Sequence, residues 1–406
     1  MTMHKTLSVS EKSLSVPAVV HQVTFNKGLV SMVADYKHLA TPFMLTDLDV
    51  IRRNCRDFRA SLPNLKLYYA VKAFYSPEII QALSPEVDGF DVASLKEVKD
   101  MLSFGIKPSR LNFSNPVKSS DSIKKAYRLG VKKFAFQSLS ELGKLQMHAP
   151  GASVYARVKI KDLPSFVPLS EKFGCNLDEV VDLLLYAKQV GLKPIGLTFH
   201  VGSQLLDHTA WEDSINLANL VIKEARSKGI NATEVNVGGG FPTRYFQGDP
   251  DIKMVSEYVN RSLNRSGDIT YVAEPGRYIV ADSSVIVSKV IGVERRNGTN
   301  WLFIDTGLFQ SFLGTMHYET FPYQPISLSH QRLDQGMKTN MIPYVLTGPT
   351  CDSQDIISLK VFLPSDLALD DLLIFPNTGA YTVVYGSNFN GFSVPKNYFI
   401  KDGKRL

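Results

Sequence analysis

Between Leu67 and Gly276 the chain repeats one unit: a short apolar or aromatic run, a turn, then a segment with apolar residues three and four positions apart. The strand-like runs cover residues 67–73, 89–94, 111–116, 132–138, 153–160, 195–202, 234–240 and 269–276. Segments 94–102, 121–129, 178–190 and 211–228 read as helices, several opening with a Ser or Asp suited to an N-cap. Eight alternating units predict a parallel (β/α)8 barrel, with an open doubly wound sheet as the alternative. After Ser283 the texture changes. Runs at 285–293, 301–305, 344–348, 357–363, 372–375 and 380–385 predict strands joined by turns with little helix. A second, mostly antiparallel β domain is expected, sharing strands with the N-terminal forty residues. The expected division is a barrel at 40–282 and a β domain made of 1–39 with 283–406.

A length of 406 residues suits two domains or one large barrel with an appendage. With 44% hydrophobic and 21% charged residues, the chain has ample core and is not a disordered or fibrous one. The net charge of +6 comes from scattered Lys and Arg, so no nucleic-acid partner is expected. Cys55, Cys175 and Cys351 are odd in number and far apart, which excludes a disulfide framework and a Cys-rich zinc site. No metal is expected. The first twenty residues hold no apolar signal-peptide core, and the longest charge-free stretch, 372–395, carries Pro376, Asn377, Gly379, Asn388 and Asn390. A cytoplasmic protein without membrane partners is expected.

Barrels of this kind carry chemistry at the C-terminal ends of their strands, and phosphate after strands seven and eight. After the seventh run stands Asn236-Val237-Gly238-Gly239-Gly240, either a tight turn or a nest of N–H groups for an anion. After the eighth stands Glu274-Pro275-Gly276-Arg277-Tyr278, where the Glu–Arg pair reads as a structural ion pair or as part of that site. Lys72 ends the first run. It either snorkels or, with its pKa lowered by desolvation, serves as a nucleophilic amine for a Schiff base. His200 ends the sixth, as a structural imidazole or one that stacks on a planar ring. Lysine, glycine nest, carboxylate and flat partner together form the inventory for pyridoxal phosphate.

Eight motifs in order then carry a resemblance: Tyr69-Ala70-Val71-Lys72, Phe90 to Ser94, Phe199 to Ser203, Gly238 to Pro242, Glu274 to Tyr278, Gly348-Pro349-Thr350-Cys351-Asp352, Gly379-Ala380-Tyr381 and Phe389 to Phe392. From about residue 40 onward the chain resembles the fold-type III pyridoxal phosphate decarboxylases, most closely the ornithine decarboxylase branch. The resemblance implies the cofactor pyridoxal 5'-phosphate, with Lys72 bonded to its aldehyde and His200 stacked on its ring. Ser203, Gly238, Gly239, Gly240, Gly276, Arg277 and Tyr381 would hold the phosphate side. Glu274 would pair with the ring nitrogen, and Asp91 and Arg157 would support ring and lysine from behind. It further implies a homodimer with shared active sites, in which Cys351 and Asp352 reach the partner's barrel and Lys172 and Asp355 pair across the interface. Cys351 would reprotonate the α carbon after loss of carbon dioxide. A free cysteine is otherwise often a small buried hydrophobe.

The substrate expected from the resemblance is a small basic amino acid, ornithine or lysine, decarboxylated to a diamine. Asp352, Glu319, Tyr318 and Phe389 are the expected substrate-side residues. Relatives usually supply a second acid from a Tyr-Asp-His segment, whereas this chain reads Thr315-Met316-His317-Tyr318-Glu319-Thr320. Glu319, one place along, either substitutes for that aspartate or is an exposed loop carboxylate. Open alternatives are an amino acid conjugate or a D-amino acid in a specialised pathway, such as siderophore synthesis, and a non-catalytic binding homologue. A racemase is disfavoured by Glu274, because racemases of this fold place arginine there.

Overall fold

The computed structural model describes residues 23–160, 165–167, 172–264, 267–316, 320–329 and 340–406. Every strand-like run before residue 280 becomes a strand of a closed parallel barrel: β1 (Leu65–Ala70), β2 (Gly89–Val92), β3 (Leu111–Phe113), β4 (Lys133–Phe136), β5 (Ser153–Arg157), β6 (Lys193–Thr198), β7 (Glu234–Asn236) and β8 (Thr270–Ala273). Each pairs with its sequence neighbour, and β8 closes on β1.

Serines placed just after the strands start several covering helices. Ser76, Ser94, Ser119 and Ser138 each accept a hydrogen bond from a first-turn N–H of Pro77–Leu83, Leu95–Ser103, Ser120–Arg128 and Leu139–His148. At Leu95–Ser103 the Glu97 carboxylate also reaches back to the Ala93 N–H at 2.6 Å, so this turn is held from both sides. The longer helices Val180–Gln189 and Ala210–Ser227 bury apolar stripes that include Leu184, Trp211 and Ile222.

The lumen is more polar than the stacked aliphatic layers usual in such barrels. Lys133 of β4 reaches Glu234 of β7 at 2.6 Å, a contact that non-adjacent strands make only through the interior. By register Tyr155, Gly196 and Glu234 share one layer, and Arg157, Thr198 and Asn236 share the layer above it. The polar column therefore rises toward the C-terminal rim.

The second unit is built on a nine-stranded sheet. Its long strand Ser284–Arg296 pairs antiparallel with Phe43–Asp47, Thr299–Ile304 and Leu372–Phe375. Met341–Thr347 and Ile356–Pro364 extend one side, and Lys396–Lys401 lies parallel to Phe43–Asp47 on the other. Three expectations need correction. Segment 380–385 is a tight turn and a short 3-10 helix (Val383–Tyr385), because Tyr381 adopts a left-handed φ of 56° that no strand accommodates. Within the described part of the first forty residues, Lys27–Met32 is a helix whose Leu29 and Val30 pack on the sheet. The N-terminal strand in this sheet is Phe43–Asp47, on the barrel side of the boundary drawn at residue 40. Among the described residues, no helix is long and apolar enough to cross a membrane.

Candidate active site

A cavity of about 530 Å³ opens at the C-terminal rim of the barrel. Lys72, Arg157, His200, Ser203, Gly239, Gly240, Glu274, Gly276, Arg277 and Tyr381 all line it. These residues come from β1, β5, β6, β7 and β8 and from the β domain, so one space collects side chains more than 300 positions apart in sequence.

Lys72 lies in the 3-10 turn Val71–Ala73 after β1, with its Nζ 3.5 Å from Asp91 Oδ2. Burial works to lower the pKa of this amine, but the charge of Asp91, with Tyr381 and Glu274, outweighs it and holds the amine above its ordinary value. The sequence expectation of a lowered pKa is therefore reversed by the buried Asp91. Asp91 itself is steadied by the Ser114 hydroxyl.

His200 Nδ1 accepts the Gly202 N–H at 3.0 Å, which leaves the ring proton on Nε2. Burial, with Arg157 and Lys72 adding repulsion, pushes its pKa well below 6.5, so the ring is a neutral plane. Gly239 lies against it. A Cβ at Gly239 would come within 2.9 Å of the Glu274 carbonyl and 3.0 Å of His200 Nε2. At Gly238, with φ +67°, a Cβ would strike the Phe199 carbonyl at 2.1 Å. Only glycine closes this loop.

Arg277 donates to the Tyr245 hydroxyl at 2.9 Å and to Ser203 Oγ at 3.1 Å, and its guanidinium lies 4.9 Å from the centre of the Tyr381 ring. Tyr381 is tied to the turn that carries Lys72, because its N–H donates to the Ala73 carbonyl at 3.0 Å. At Gly276 a Cβ would meet Ala73 Cβ at 2.7 Å and the Tyr381 hydroxyl at 3.3 Å. Serine, arginine, tyrosine and open glycine backbone thus converge on one end of the cavity, a donor set suited to a phosphate. Glu274 is buried, and burial together with Asp91 pushes its pKa well above the usual carboxylate range. A hydrogen bond from Asn236 and the charges of Lys72 and Arg157 pull the other way.

Other expected residues lie elsewhere. Cys351 is exposed, with its Sγ 3.5 Å from Asn390 Oδ1. Asp352 accepts the Gln354 N–H, and Phe389 packs its exposed ring on Phe309 at 4.7 Å. None of the three lines the cavity of its own chain. Tyr318 and Glu319 lie outside the described residues. Asp355 is buried and takes hydrogen bonds from Leu308 and Thr350, which braces the Gly-Pro-Thr-Cys turn, while Lys172 sits 5.1 Å from the Phe173 ring at the cavity.

Sequence reasoning passed over several lining residues. Ser114, Asn115 and Pro116 follow β3, where the strand-end rule already pointed. Tyr385 was hidden by reading 380–385 as a strand. It stacks on Tyr381 with ring centres 6.1 Å apart, beside Gly314, where a Cβ would lie 3.1 Å from the Tyr385 ring. No local signal marked it.

Residues 48–281 match the family model for the pyridoxal binding domain of pyridoxal-dependent decarboxylases. The chain is 32% identical over 369 residues to the lysine/ornithine decarboxylase of Selenomonas ruminantium, covering 90% of this chain and 91% of that one. It is 30% identical over 364 residues to the ornithine decarboxylase of Schizosaccharomyces pombe, covering 88% and 83%. The solved arginine decarboxylase of Paramecium bursaria Chlorella virus, bound to agmatine, superposes with a TM-score of 0.84 at 29% identity, covering 91% of this chain and all of that one. With that donor set at its barrel rim, the chain belongs to the pyridoxal-dependent decarboxylases and is a pyridoxal phosphate-dependent carboxy-lyase of the ornithine, lysine and arginine decarboxylase type.

Proposed function

We propose that the protein decarboxylates a free basic L-amino acid, ornithine or lysine, to the corresponding diamine, working as a homodimer with shared active sites. One observation carries this reading. Among the described residues lining the cavity, Glu274 is the sole carboxylate, while Cys351 and Asp352 sit together on an outer surface of the β domain. A distal ammonium buried without a carboxylate beside it costs several kcal/mol. A second copy that presents Asp352 to this cavity removes that cost.

The residues present fit pyridoxal phosphate. Lys72 offers the amine for its aldehyde, and Ser203, Gly239, Gly240, Arg277 and Tyr381 would hold the phosphate. Glu274 would face the ring nitrogen, and His200 would lie flat against the ring. When bound, the cofactor supplies the electron sink for the carbanion left as the carboxylate departs as carbon dioxide. Asp91, 3.5 Å from Lys72 Nζ, holds the lysine side chain in position in the turn after β1. The Cys351 thiol of the second copy then delivers one proton to the α carbon, which completes the diamine.

Sharing is tested by complementation. Lys72→Ala and Asp352→Ala each inactivate both sites of their own dimer. Equal mixing with subunit exchange gives hybrids for half of the dimers, each with one intact site, so roughly a quarter of wild-type activity should return. If each chain used its own Asp352, the mixture would stay inactive.

A further inference from the structure

Asn236 ends β7 fully buried, and both ends of its amide are engaged in the site. Its Oδ1 accepts the Gly238 N–H at 2.9 Å, and its Nδ2 donates to Glu274 Oε1 at 2.6 Å. The Glu274 N–H returns to the Gly238 carbonyl at 2.7 Å, and the Phe199 N–H donates to the Asn236 carbonyl at 3.1 Å. Chemistry fixes the amide's orientation. A carboxylate oxygen accepts only from the NH₂ group, and a backbone N–H donates only to the oxygen.

We propose that Asn236 is the positioning residue for Glu274: its neutral amide fixes the carboxylate and, through Gly238, ties it to the glycine loop beside the phosphate end of the cavity. The inference rests on the reading of Glu274 as the partner of the cofactor's ring nitrogen. A carboxylate needs at least one firm donor to hold one rotamer in a buried site, and each strong bond to its charged form favours ionisation. The groups facing Glu274 are Asp91, which opposes its ionisation, Lys72 and Arg157, which favour it, the Tyr68 and Tyr155 hydroxyls, and the neutral His200 beside Gly239. Within that set Asn236 makes a direct hydrogen bond to Glu274 without bringing charge. An aspartate at 236 would confront Glu274 at hydrogen-bond distance, and the pair would have to share a proton.

The test reads Glu274 directly in the cofactor-free protein, by infrared titration of its carboxyl band with Glu274→Gln as the difference reference. Asn236→Asp should move the pH midpoint of that band upward by about one unit or more. It should weaken pyridoxal phosphate binding by about tenfold, because the loop and the carboxylate lose their common tie. Asn236→Ala should move the midpoint in the same direction, and carries the test if the aspartate variant does not fold. Folded variants with an unmoved midpoint overturn the proposal, even if their melting temperature falls, since a merely structural amide would give that result. The titration is separate from turnover. A wild-type protein that releases no carbon dioxide from basic amino acids would sink the functional reading while the midpoint still decides the role of Asn236.

Discussion

At the scale of single residues, two glycines one position apart make different demands. Gly238 combines a left-handed φ with a Cβ clash at 2.1 Å, whereas Gly239 has no left-handed φ and a milder clash, its Cβ 2.9 Å from the Glu274 carbonyl and 3.0 Å from His200 Nε2. Gly238→Ala should therefore destabilise by more than the roughly 0.4–1 kcal/mol that an unstrained Gly→Ala change gains, and lower the melting temperature even without cofactor. Gly239→Ala, whose Cβ would meet the Glu274 carbonyl at 2.9 Å without a strained φ, should cost less stability than Gly238→Ala but bind pyridoxal phosphate at least about tenfold more weakly. Melting curves with and without cofactor check both, and equal losses from the two changes would contradict this division. His200 gives a pH dependence. Folding holds it neutral, so below about pH 6.5 protons bind preferentially to the unfolded chain, and stability falls as pH drops toward 5. The slope from this group is at most about 1.4 kcal/mol per pH unit. Glu274 acts in the opposite sense, since its raised pKa contributes stability that is lost as pH rises through its folded value. His200→Gln should flatten the loss between pH 7 and 5, measured by denaturant unfolding of the cofactor-free protein. An unchanged slope would show that another group carries it.

Among the elements, the loop after β3 is held from below by a buried charge cluster. Lys118 Nζ donates to the Asn115 and Ala135 carbonyls and lies 2.9 Å from Glu141, which Lys144 also approaches. Burial lowers the Lys118 pKa to about 8, with Glu141 opposing the shift. Removing one partner of such a buried pair typically costs about 3–5 kcal/mol. Lys118→Ala should lower the melting temperature and, because Ser114, Asn115 and Pro116 line the cavity, weaken cofactor binding as well. A stability loss with unchanged cofactor affinity would mean that the loop holds its shape without this anchor. Elements were also where the sequence was most legible. The alternation of period-two runs with helical segments located all eight barrel strands, because each unit carries its own turn and cap signals. Segment 380–385 misled because Tyr381, Val383 and Val384 have strand propensity, while the Gly379 turn and the Ala73 carbonyl hold Tyr381 in a left-handed conformation.

On the scale of the whole molecule, most of the residues that converge on the cavity were legible from short motifs because they follow barrel strands, where the fold gathers side chains at one rim. The charge state of Lys72 was not, because it depends on Asp91, brought beside it by the neighbouring strand. Nor was the engagement of Asp355 with its own chain, which follows from the turn at Gly307 and Gly348 closing around its carboxylate. The proposed reaction draws on all three scales: a barrel-rim site of this composition, if completed by Asp352 from a second copy, would remove carbon dioxide from a free basic amino acid. The most direct measurement is carbon dioxide release by the pyridoxal phosphate-loaded protein from L- and D-ornithine, lysine, arginine, diaminobutyrate and diaminopimelate, with Lys72→Ala as the blank. The account predicts release from L-ornithine or L-lysine with the matching diamine as product, and none from the blank. Release only from a D-amino acid or from diaminopimelate, or no release from any free diamino acid, would contradict it.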